Sequence, residues 1–271
     1  MNFHSDDWIM ERLNEHYKEA CAIMGENRVV GIFYQGSGNY GLDYASSDVD
    51  TKCVIIPTLE QLVMESKPSY THIRDNDEHI DFKDIRLMLE IFRKGNINFL
   101  EILYTKYYIL NPLYETLWNT LVEHRDEIIK SSRELVVKSM VGIAREKYHA
   151  LEHRYPSRIE WIDKFGYDPK QLHHLLRLKE FISRWADGES FENCLIADES
   201  TYLVGVKLGC YNLEEARKYG KRAMDYIEYL YKYLSNNASN SQADDTEVKE
   251  LLESISFETI RRGVQTELGV K

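Results

Sequence analysis

The segment from Gly36 to Asp50 reads GSGNYGLDYASSDVD, in which a glycine-serine pair precedes two aspartates, Asp48 and Asp50. In an extended segment, side chains two positions apart project to the same face, so both carboxylates would point together while Val49 packs behind them. Mg²⁺ prefers oxygen ligands and commonly binds through one or two carboxylates together with phosphate groups. The aspartate pair therefore predicts a site for divalent cations, and it constrains this chain more than any other feature.

The residues before this pair predict a β-strand that enters a tight turn. The run from Arg28 to Tyr34, RVVGIFY, is apolar and β-branched, and Gln35, Gly36 and Ser37 follow it. The glycines of this segment allow the backbone to approach an anion closely, its exposed N–H groups form an anion-binding concavity, and the Ser37 hydroxyl adds a donor. We expect a phosphate site at this turn, followed by a short helix over residues 39–44.

The segment 70–84 predicts a β-hairpin that supplies a third carboxylate. Strand alternation places Ile80 inward and Asp81 on the opposite, polar face. Asp81 is therefore the predicted third acid, acting as a metal ligand or as the base for an incoming hydroxyl group. Glu78 and Asp84 are the alternatives. The competing interpretation of Asp81 is an exposed acid that serves only solubility.

The pattern resembles the signature of a known superfamily, the DNA polymerase beta-like nucleotidyltransferases. The positions that carry this resemblance are Gly36-Ser37, Tyr40-Gly41 and Ser47-Asp48-Val49-Asp50. Three longer blocks also resemble the predicted nucleotidyltransferases of the RlaP or YcgL-like branch. These blocks are QGSGNYGLDYASSDVDTKCVIIP, KGNINFLEIL preceded by Arg86, and DPKQLHHLLRL.

This resemblance implies roles for individual residues. Gly36 and Ser37 would contact the phosphates of a nucleotide, and Tyr40 joins them as a nucleotide-binding candidate. Asp48 and Asp50 would bind metal. The resemblance leaves the third acid open, so Asp81 rests on strand alternation alone.

A stripe of polar side chains on a predicted helix from Asp168 to Leu178 is a further candidate. The stripe consists of Lys170, His173, His174 and Arg177, at positions i, i+3, i+4 and i+7. Lys170, His174 and Arg177 are predicted to neutralise a triphosphate or the acceptor, as cations do when negative charge develops during phosphoryl transfer. A solvated helix face with surface ion pairs is the alternative.

These features together predict a metal-dependent nucleotidyltransferase, with Mg²⁺ or Mn²⁺ as cofactor and ATP as the expected nucleotide. An acceptor hydroxyl would attack the α-phosphorus, and pyrophosphate would leave. The acceptor is open between an RNA end, a protein hydroxyl (an AMPylating or toxin-type activity) and a small molecule of the aminoglycoside kind. A nucleotide-binding regulatory module without turnover is the alternative from another functional class.

The predicted fold class is α+β, with a minimal polymerase-beta-like lobe followed by a helical carboxy-terminal lobe. The first lobe, residues 1–110, combines a short mixed sheet with helices, and the second, residues 111–271, is almost wholly helical. The predicted helices of the second lobe are Leu113–Ile129, Glu134–His153, Pro169–Ala186 and Leu213–Leu234. A polar linker over residues 235–247 is expected before a last helix from Val248.

Composition excludes several classes of partner. The net charge of −11 disfavours sequence-independent binding to long nucleic acids. The basic residues between Lys138 and Arg158 are nevertheless a candidate contact for a short RNA end, with a solvated helix face as the alternative. The four cysteines have no metal-ligand spacing, which predicts no zinc site and no disulfide framework. Without a predicted signal sequence or membrane-spanning run, we expect a cytoplasmic protein with no membrane partner.

Overall fold

A five-stranded mixed sheet and many helices form the computed structural model, which describes residues 3–237 and 245–270. The strands are β1 (Val29–Gln35), β2 (Asp50–Ile55), β3 (Ser69–Ile73), β4 (His79–Asp84) and β5 (Tyr108–Leu110). Their order across the sheet is β3-β4-β2-β1-β5, with β2 and β4 parallel and the other neighbours antiparallel. The predicted α+β class, with a small mixed sheet and a helical carboxy-terminal region, is confirmed.

The pairing of β1 with β2 brings the glycine-serine turn close to Asp48 and Asp50. β1 is an apolar strand that is buried along most of its length, and its last residue, Gln35, pairs with Asp50, the first residue of β2. The antiparallel register therefore brings the turn after β1 and the segment before β2 to one end of the sheet. The turn itself is a 3-10 helix, Ser37–Tyr40, rather than the short helix expected over residues 39–44.

The predicted hairpin is formed by β3 and β4. Ile80 is fully buried under the sheet, as strand alternation requires, and Asp81 lies on the opposite face. In the parallel pairing with β2, Lys52 is the partner of Asp81, and Thr51 is the partner of Ile80. His79 is consequently the residue of β4 that lies beside Asp50.

Helices surround the sheet and make up the rest of the described chain. They are α1 (Asp6–Met24), α2 (Leu59–Val63), α3 (Ile85–Arg93), α4 (Ile97–Leu100), α5 (Glu115–Glu123), α6 (Arg125–Ser131), α7 (Arg133–Ala150), α8 (Ile159–Phe165), α9 (Pro169–Ala186), α10 (Phe191–Leu195), α11 (Ser200–Lys207), α12 (Leu213–Asn237) and α13 (Asp245–Glu267). The predicted helix Leu113–Ile129 is divided into α5 and α6. Part of the predicted linker, residues 238–244, lies outside the described residues. None of the described helices combines the length and the apolar character needed to cross a lipid bilayer.

Helix α1, which was not predicted, packs against β1 and covers one face of the sheet. Ser5 caps its amino terminus by accepting a hydrogen bond from the Trp8 N–H at 3.2 Å. Apolar side chains such as Leu13 and Ala20 are fully buried beneath it. This helix leaves the other face of the sheet to the helical region that builds the cleft.

One hydrophobic core runs through both predicted lobes. It includes side chains of β1 and α3 as well as α9, α12 and α13. α13 returns to the sheet region, where Arg262 donates to the Leu113 carbonyl at 3.0 Å and Glu267 accepts from the Leu59 N–H at 3.1 Å. Described residues on both sides of the predicted boundary at residue 110 therefore share one core.

Candidate functional site

A cleft of about 240 Å³ lies between the end of the sheet and helix α9. All of the predicted site residues except Asp81 line it. These residues are Gly36, Ser37, Tyr40, Asp48, Asp50, Lys170, His174 and Arg177. Segments that are more than a hundred residues apart in sequence thus meet at one place.

The glycine-serine turn forms one wall of this cleft and is held tightly. Gly36 and Gly41 have φ angles of 150° and 69°, a region of backbone conformation that favours glycine. The Asn39 side chain donates to the Tyr34 carbonyl at 2.8 Å, and the Ser37 hydroxyl donates to Ser47 Oγ at 3.2 Å. Ser37 is therefore tied to the segment that leads directly into the aspartates.

The two aspartates differ in exposure and in partners. Asp48 is exposed in the loop before β2, whereas Asp50 is half-buried. Oδ1 of Asp50 accepts hydrogen bonds from the backbone N–H of His79 at 2.9 Å and from its Nδ1 at 3.0 Å. Within the described chain, Oδ2 of Asp50 accepts none, so this oxygen is available to a ligand.

Electrostatics at the pair favour a bound cation. Burial, and then the charge of Asp48, raise the pKa of the Asp50 carboxyl group. Two carboxylates that repel each other in a partly desolvated position are stabilised when a positive ion binds between them. The donor set of two carboxylates fits a Mg²⁺ that takes its other ligands from phosphate groups and water.

Glu78, one of the alternative third acids, anchors the backbone between the aspartates. Its Oε1 accepts the N–H of Val49 at 3.2 Å. Its side chain is 6% exposed and is also bound by Arg12, by Arg74 at 2.9 Å and by His16 at 2.9 Å. Burial alone would raise the pKa of Glu78, but the hydrogen bonds from His16 and Arg12 outweigh it and hold this pKa well below its usual range.

The other acids predicted for the third position lie away from the cleft. Asp81 pairs with Lys83 at 2.9 Å and accepts from the Thr71 hydroxyl at 3.3 Å. It stands opposite Lys52 in the parallel register, and not opposite Asp50, which explains why it does not reach the aspartate pair. Asp84 is fully buried, where it binds Arg86 and caps α3.

The structure thus brings together two of the three predicted carboxylates. Within residues 3–237 and 245–270, no three His, Cys, Asp or Glu side chains are arranged so that they could share a metal ion.

Helix α9 supplies the wall opposite the aspartates. Asp168 caps its amino terminus by accepting the Lys170 N–H at 2.9 Å, which presents the Lys170 side chain at the edge of the cleft. The Arg177 guanidinium lies 3.8 Å from the centre of the Tyr40 ring, a cation–π contact that joins α9 to the glycine-serine turn. Nε of Arg177 is buried and has no hydrogen-bond partner among the described residues.

The two histidines of α9 add hydrogen-bonding capacity but little charge. Burial lowers the pKa of His173 to about 3, and its Nδ1 hydrogen-bonds the Leu203 carbonyl at 2.8 Å. Burial, followed by the neighbouring charges, also lowers the pKa of His174 well below its usual value. His174 is therefore neutral near pH 7, and the positive charge of the predicted stripe resides on Lys170 and Arg177.

Sequence reasoning missed Lys207 on α11 and Glu101, and it assigned Lys147 on α7 only to the basic stretch and not to this cleft. Glu101 is buried beneath the turn, where it accepts the Tyr40 hydroxyl and pairs with Lys52 at 3.4 Å. The apolar residues around Glu101 predict a structural role for its segment. The contacts of Glu101 are consistent with that role, because they support the turn. Lys207 is an isolated lysine in its segment, so no local pattern distinguishes it.

The basic stretch proposed for RNA contacts is mostly engaged with acids of neighbouring elements. Arg145 pairs with Glu228 at 3.0 Å, and Arg158 pairs with Asp168 at 2.7 Å. Arg154 pairs with Asp163, also at 2.7 Å. These ion pairs reduce the positive charge that the stretch presents to a nucleic acid.

Comparisons with known proteins give a likeness to solved structures. No protein-family model matches the chain. No curated protein matches it by sequence. Among solved structures, it is similar to a nucleotidyltransferase-like protein from Exiguobacterium sibiricum 255-15, with 15% sequence identity, coverage of 94% of this chain and 92% of that chain, and a TM-score of 0.32. A likeness at this level decides neither the activity nor the RlaP or YcgL-like branch.

Proposed function

We propose that the cleft binds a nucleoside triphosphate with a divalent cation and that the protein transfers the nucleotidyl group to an acceptor hydroxyl. One observation carries this proposal. Asp48 and Asp50 face Lys170 and Arg177 across a cleft bordered by the glycine-serine turn. In the described part of the chain, neither Lys170 nor Arg177 has a carboxylate within ion-pair distance.

Separated charges of this kind suit a ligand that carries both signs. Arg177 is buried, and a buried cation without a carboxylate partner costs free energy that an anionic ligand recovers. The pair of carboxylates, Asp48 and Asp50, conversely requires a positive ion. A polyphosphate chain with a bound divalent cation satisfies both walls at once, and ATP with Mg²⁺ or Mn²⁺ is the expected combination.

Each residue then has a defined task. Asp48 and Asp50 would hold the cation, which when bound supplies charge neutralisation at the phosphoryl oxygens. The N–H groups of the turn hold phosphate oxygens, and the Ser37 hydroxyl would turn from Ser47 to donate to a phosphate oxygen when the nucleotide binds. Arg177, positioned by the Tyr40 ring, donates in bidentate fashion. Lys170 neutralises charge, and the neutral His174 contributes a hydrogen bond.

The reaction follows from this placement. The acceptor oxygen forms a bond to the α-phosphorus while the bond to the bridging oxygen of the β-phosphate breaks, and pyrophosphate leaves. The hydroxyl proton passes to solvent or to the carboxylate pair, because Asp81 does not line the cleft. The ion-paired basic stretch and the net charge of −11 favour a protein hydroxyl or a small molecule over an RNA end as acceptor.

One observation also supports the alternative of a nucleotide-binding regulatory module. Two-metal transfer sites gain from a further acid close to the pair, and Asp81 is instead engaged with Lys83. A protein with this arrangement could bind the nucleotide and release no product. The same experiment separates the two functions.

The test combines nucleotide binding with turnover. Calorimetry with each nucleoside triphosphate and Mg²⁺ should show binding, and α-labelled nucleotides in cell extract should label an acceptor while pyrophosphate is released. Asp48→Asn and Asp50→Asn should abolish the Mg²⁺-dependent part of binding and the release of pyrophosphate. Asp75→Asn, which changes an exposed aspartate of the β3–β4 turn, is the matched control.

Each result is informative. Binding by the wild-type protein without pyrophosphate release in any extract would establish the regulatory module. Undiminished metal-dependent transfer by both aspartate variants would refute the assignment of the cation site. Absence of nucleotide binding altogether would remove the proposal.

A further inference from the structure

Lys207 reaches the cleft from α11, an element with no place in the predicted site. The hydrogen bond between His173 Nδ1 and the Leu203 carbonyl, 2.8 Å, fixes α11 against α9. Val206, next to the lysine, is fully buried in the core. The carboxy-terminal end of α11 is thus held in place, and it presents Lys207 to the same cavity as Asp48 and Lys170.

The surroundings of Lys207 leave its charge uncompensated. Its Nζ lies 4.5 Å from the centre of the Tyr44 ring, and in the described chain no carboxylate lies within ion-pair distance of it. The charged or titratable groups that face it are Lys170, His173 and Arg177 on α9, Arg158 before α8, and Asp43 and Asp48 before β2. The two acids act from a distance, whereas the basic groups repel the ammonium.

We propose that Lys207 is a further phosphate-binding residue of this cleft, supplied by α11 to the nucleotide. This inference rests on the proposed function and extends it to a residue and a regulatory property that the sequence pattern does not contain. A phosphate oxygen would be the counter-ion that the free protein does not provide. An ammonium donates charge-assisted hydrogen bonds to phosphate, and such bonds are about twice as strong as neutral ones.

A dependence on pH follows from the position of this lysine. Burial, and then the charge of Lys170, lower the pKa of Lys207 to about 8 in the free protein. A bound triphosphate favours the charged form and raises this pKa. Nucleotide binding is therefore accompanied by proton uptake above pH 8. Affinity should be constant below that pH and fall as pH rises through it.

The experiment measures affinity for ATP with Mg²⁺ by calorimetry on the full chain, at about pH 7.5 and about pH 9.5. The terminal phosphate of ATP has lost its last proton below this range, so it does not contribute to the difference. For the wild-type protein we expect affinity to fall by roughly tenfold between the two conditions. Thermal unfolding of every variant confirms that the fold is retained.

Two substitutions separate charge from titration. Lys207→Met should weaken binding by roughly tenfold at the lower pH and remove the pH dependence. Lys207→Arg should keep the affinity at both pH values, because a guanidinium stays protonated throughout. Lys218→Met, which alters an exposed lysine of α12, should behave as the wild type does.

The outcomes are distinct. Wild-type affinity in Lys207→Met overturns the inference and leaves the proposed function standing. If the affinity of Lys207→Arg still depends on pH, the proton taken up on nucleotide binding belongs to another group, and the proposed link between Lys207 and pH is wrong. Failure of the wild-type protein to bind ATP at either pH overturns both proposals together.

Discussion

Glu78 shows how a single buried carboxylate can organise a site without entering it. It binds Arg12, Arg74 and His16, which come from α1 and from the end of β3, and it also holds the Val49 N–H. The network therefore fixes the backbone that carries both aspartates. An ionised group in this position is stabilised by its partners more than it is penalised by burial.

Glu78→Gln should destabilise the protein and make it less sensitive to acid. The glutamine keeps an acceptor for Val49 but removes the buried negative charge that Arg12 and Arg74 share. The two arginines then retain only the more exposed Glu15 and Glu19, at a cost of about 1–3 kcal/mol. Because the folded pKa is depressed, the contribution of Glu78 is present above its ordinary pKa of 4.5 and is lost as pH falls below that value. Urea unfolding from neutral to acidic pH measures both effects.

A matched substitution controls for the loss of a surface charge. Glu90→Gln removes a 44% exposed partner of Lys67, so it should change the unfolding free energy by less than about 0.5 kcal/mol. Two results would contradict the anchoring role of Glu78. One is an equal loss of unfolding free energy in both variants, and the other is a wild-type loss of stability at acidic pH in Glu78→Gln.

The position of a site residue can be predicted from the sequence when neighbouring residues determine it, and not when contacts with distant segments do. The position of Asp48 and Asp50 in one cleft could be predicted, because a motif and a strand period lie within a few residues of them. Asp81 could be placed on the correct face of the sheet, but its distance from the pair depends on the register of β4 against β2. Glu78 and Lys207 owe their positions to partners on α1 and α9, which no local pattern discloses.

At the scale of elements, the junction between α3 and α4 combines a helix end that the sequence predicts with a close contact to α7 that it does not. α3 ends at Arg93, and Gly95 adopts a φ angle of 67° before Asn96 caps α4. The glycine and asparagine predict this end correctly. The sequence does not show that α7 crosses here, so that a Cβ on Gly95 would lie 2.4 Å from the Val136 nitrogen.

Gly95→Ala should therefore lower the free energy of unfolding by more than the cost of placing an alanine in the left-handed conformation. The left-handed conformation costs about 1–2 kcal/mol, and displacement of α7 adds a further penalty of about 1–3 kcal/mol. Gly188→Ala is the matched control, because Gly188 also has a positive φ, 97°, but an added Cβ there meets no atom within 4 Å. Urea unfolding midpoints of the two variants give the difference, and equal midpoints would disprove the close contact with α7.

At the scale of the whole molecule, the helical region contributes directly to the cleft through α9 and α11. The core that includes β1 and α3 continues into α9, α12 and α13. The fold class could be predicted because strand and helix periods differ along the chain. The way in which α9 and α11 close over the turn could not, because it depends on contacts between segments far apart in sequence. The cleft is a product of this long-range packing.

The charge of the whole molecule bears on the choice of acceptor. Because the net charge is −11 and the arginines at 145, 154 and 158 pair with acids, we expect weak binding to unstructured RNA, with a Kd above roughly 10⁻⁴ M at physiological salt. Fluorescence anisotropy with a labelled single-stranded RNA over a range of salt concentrations measures this affinity. Glu228→Gln, which releases Arg145 from its partner, should strengthen binding slightly. Tight, steeply salt-dependent binding that Arg145→Ala abolishes would instead make an RNA end the preferred acceptor.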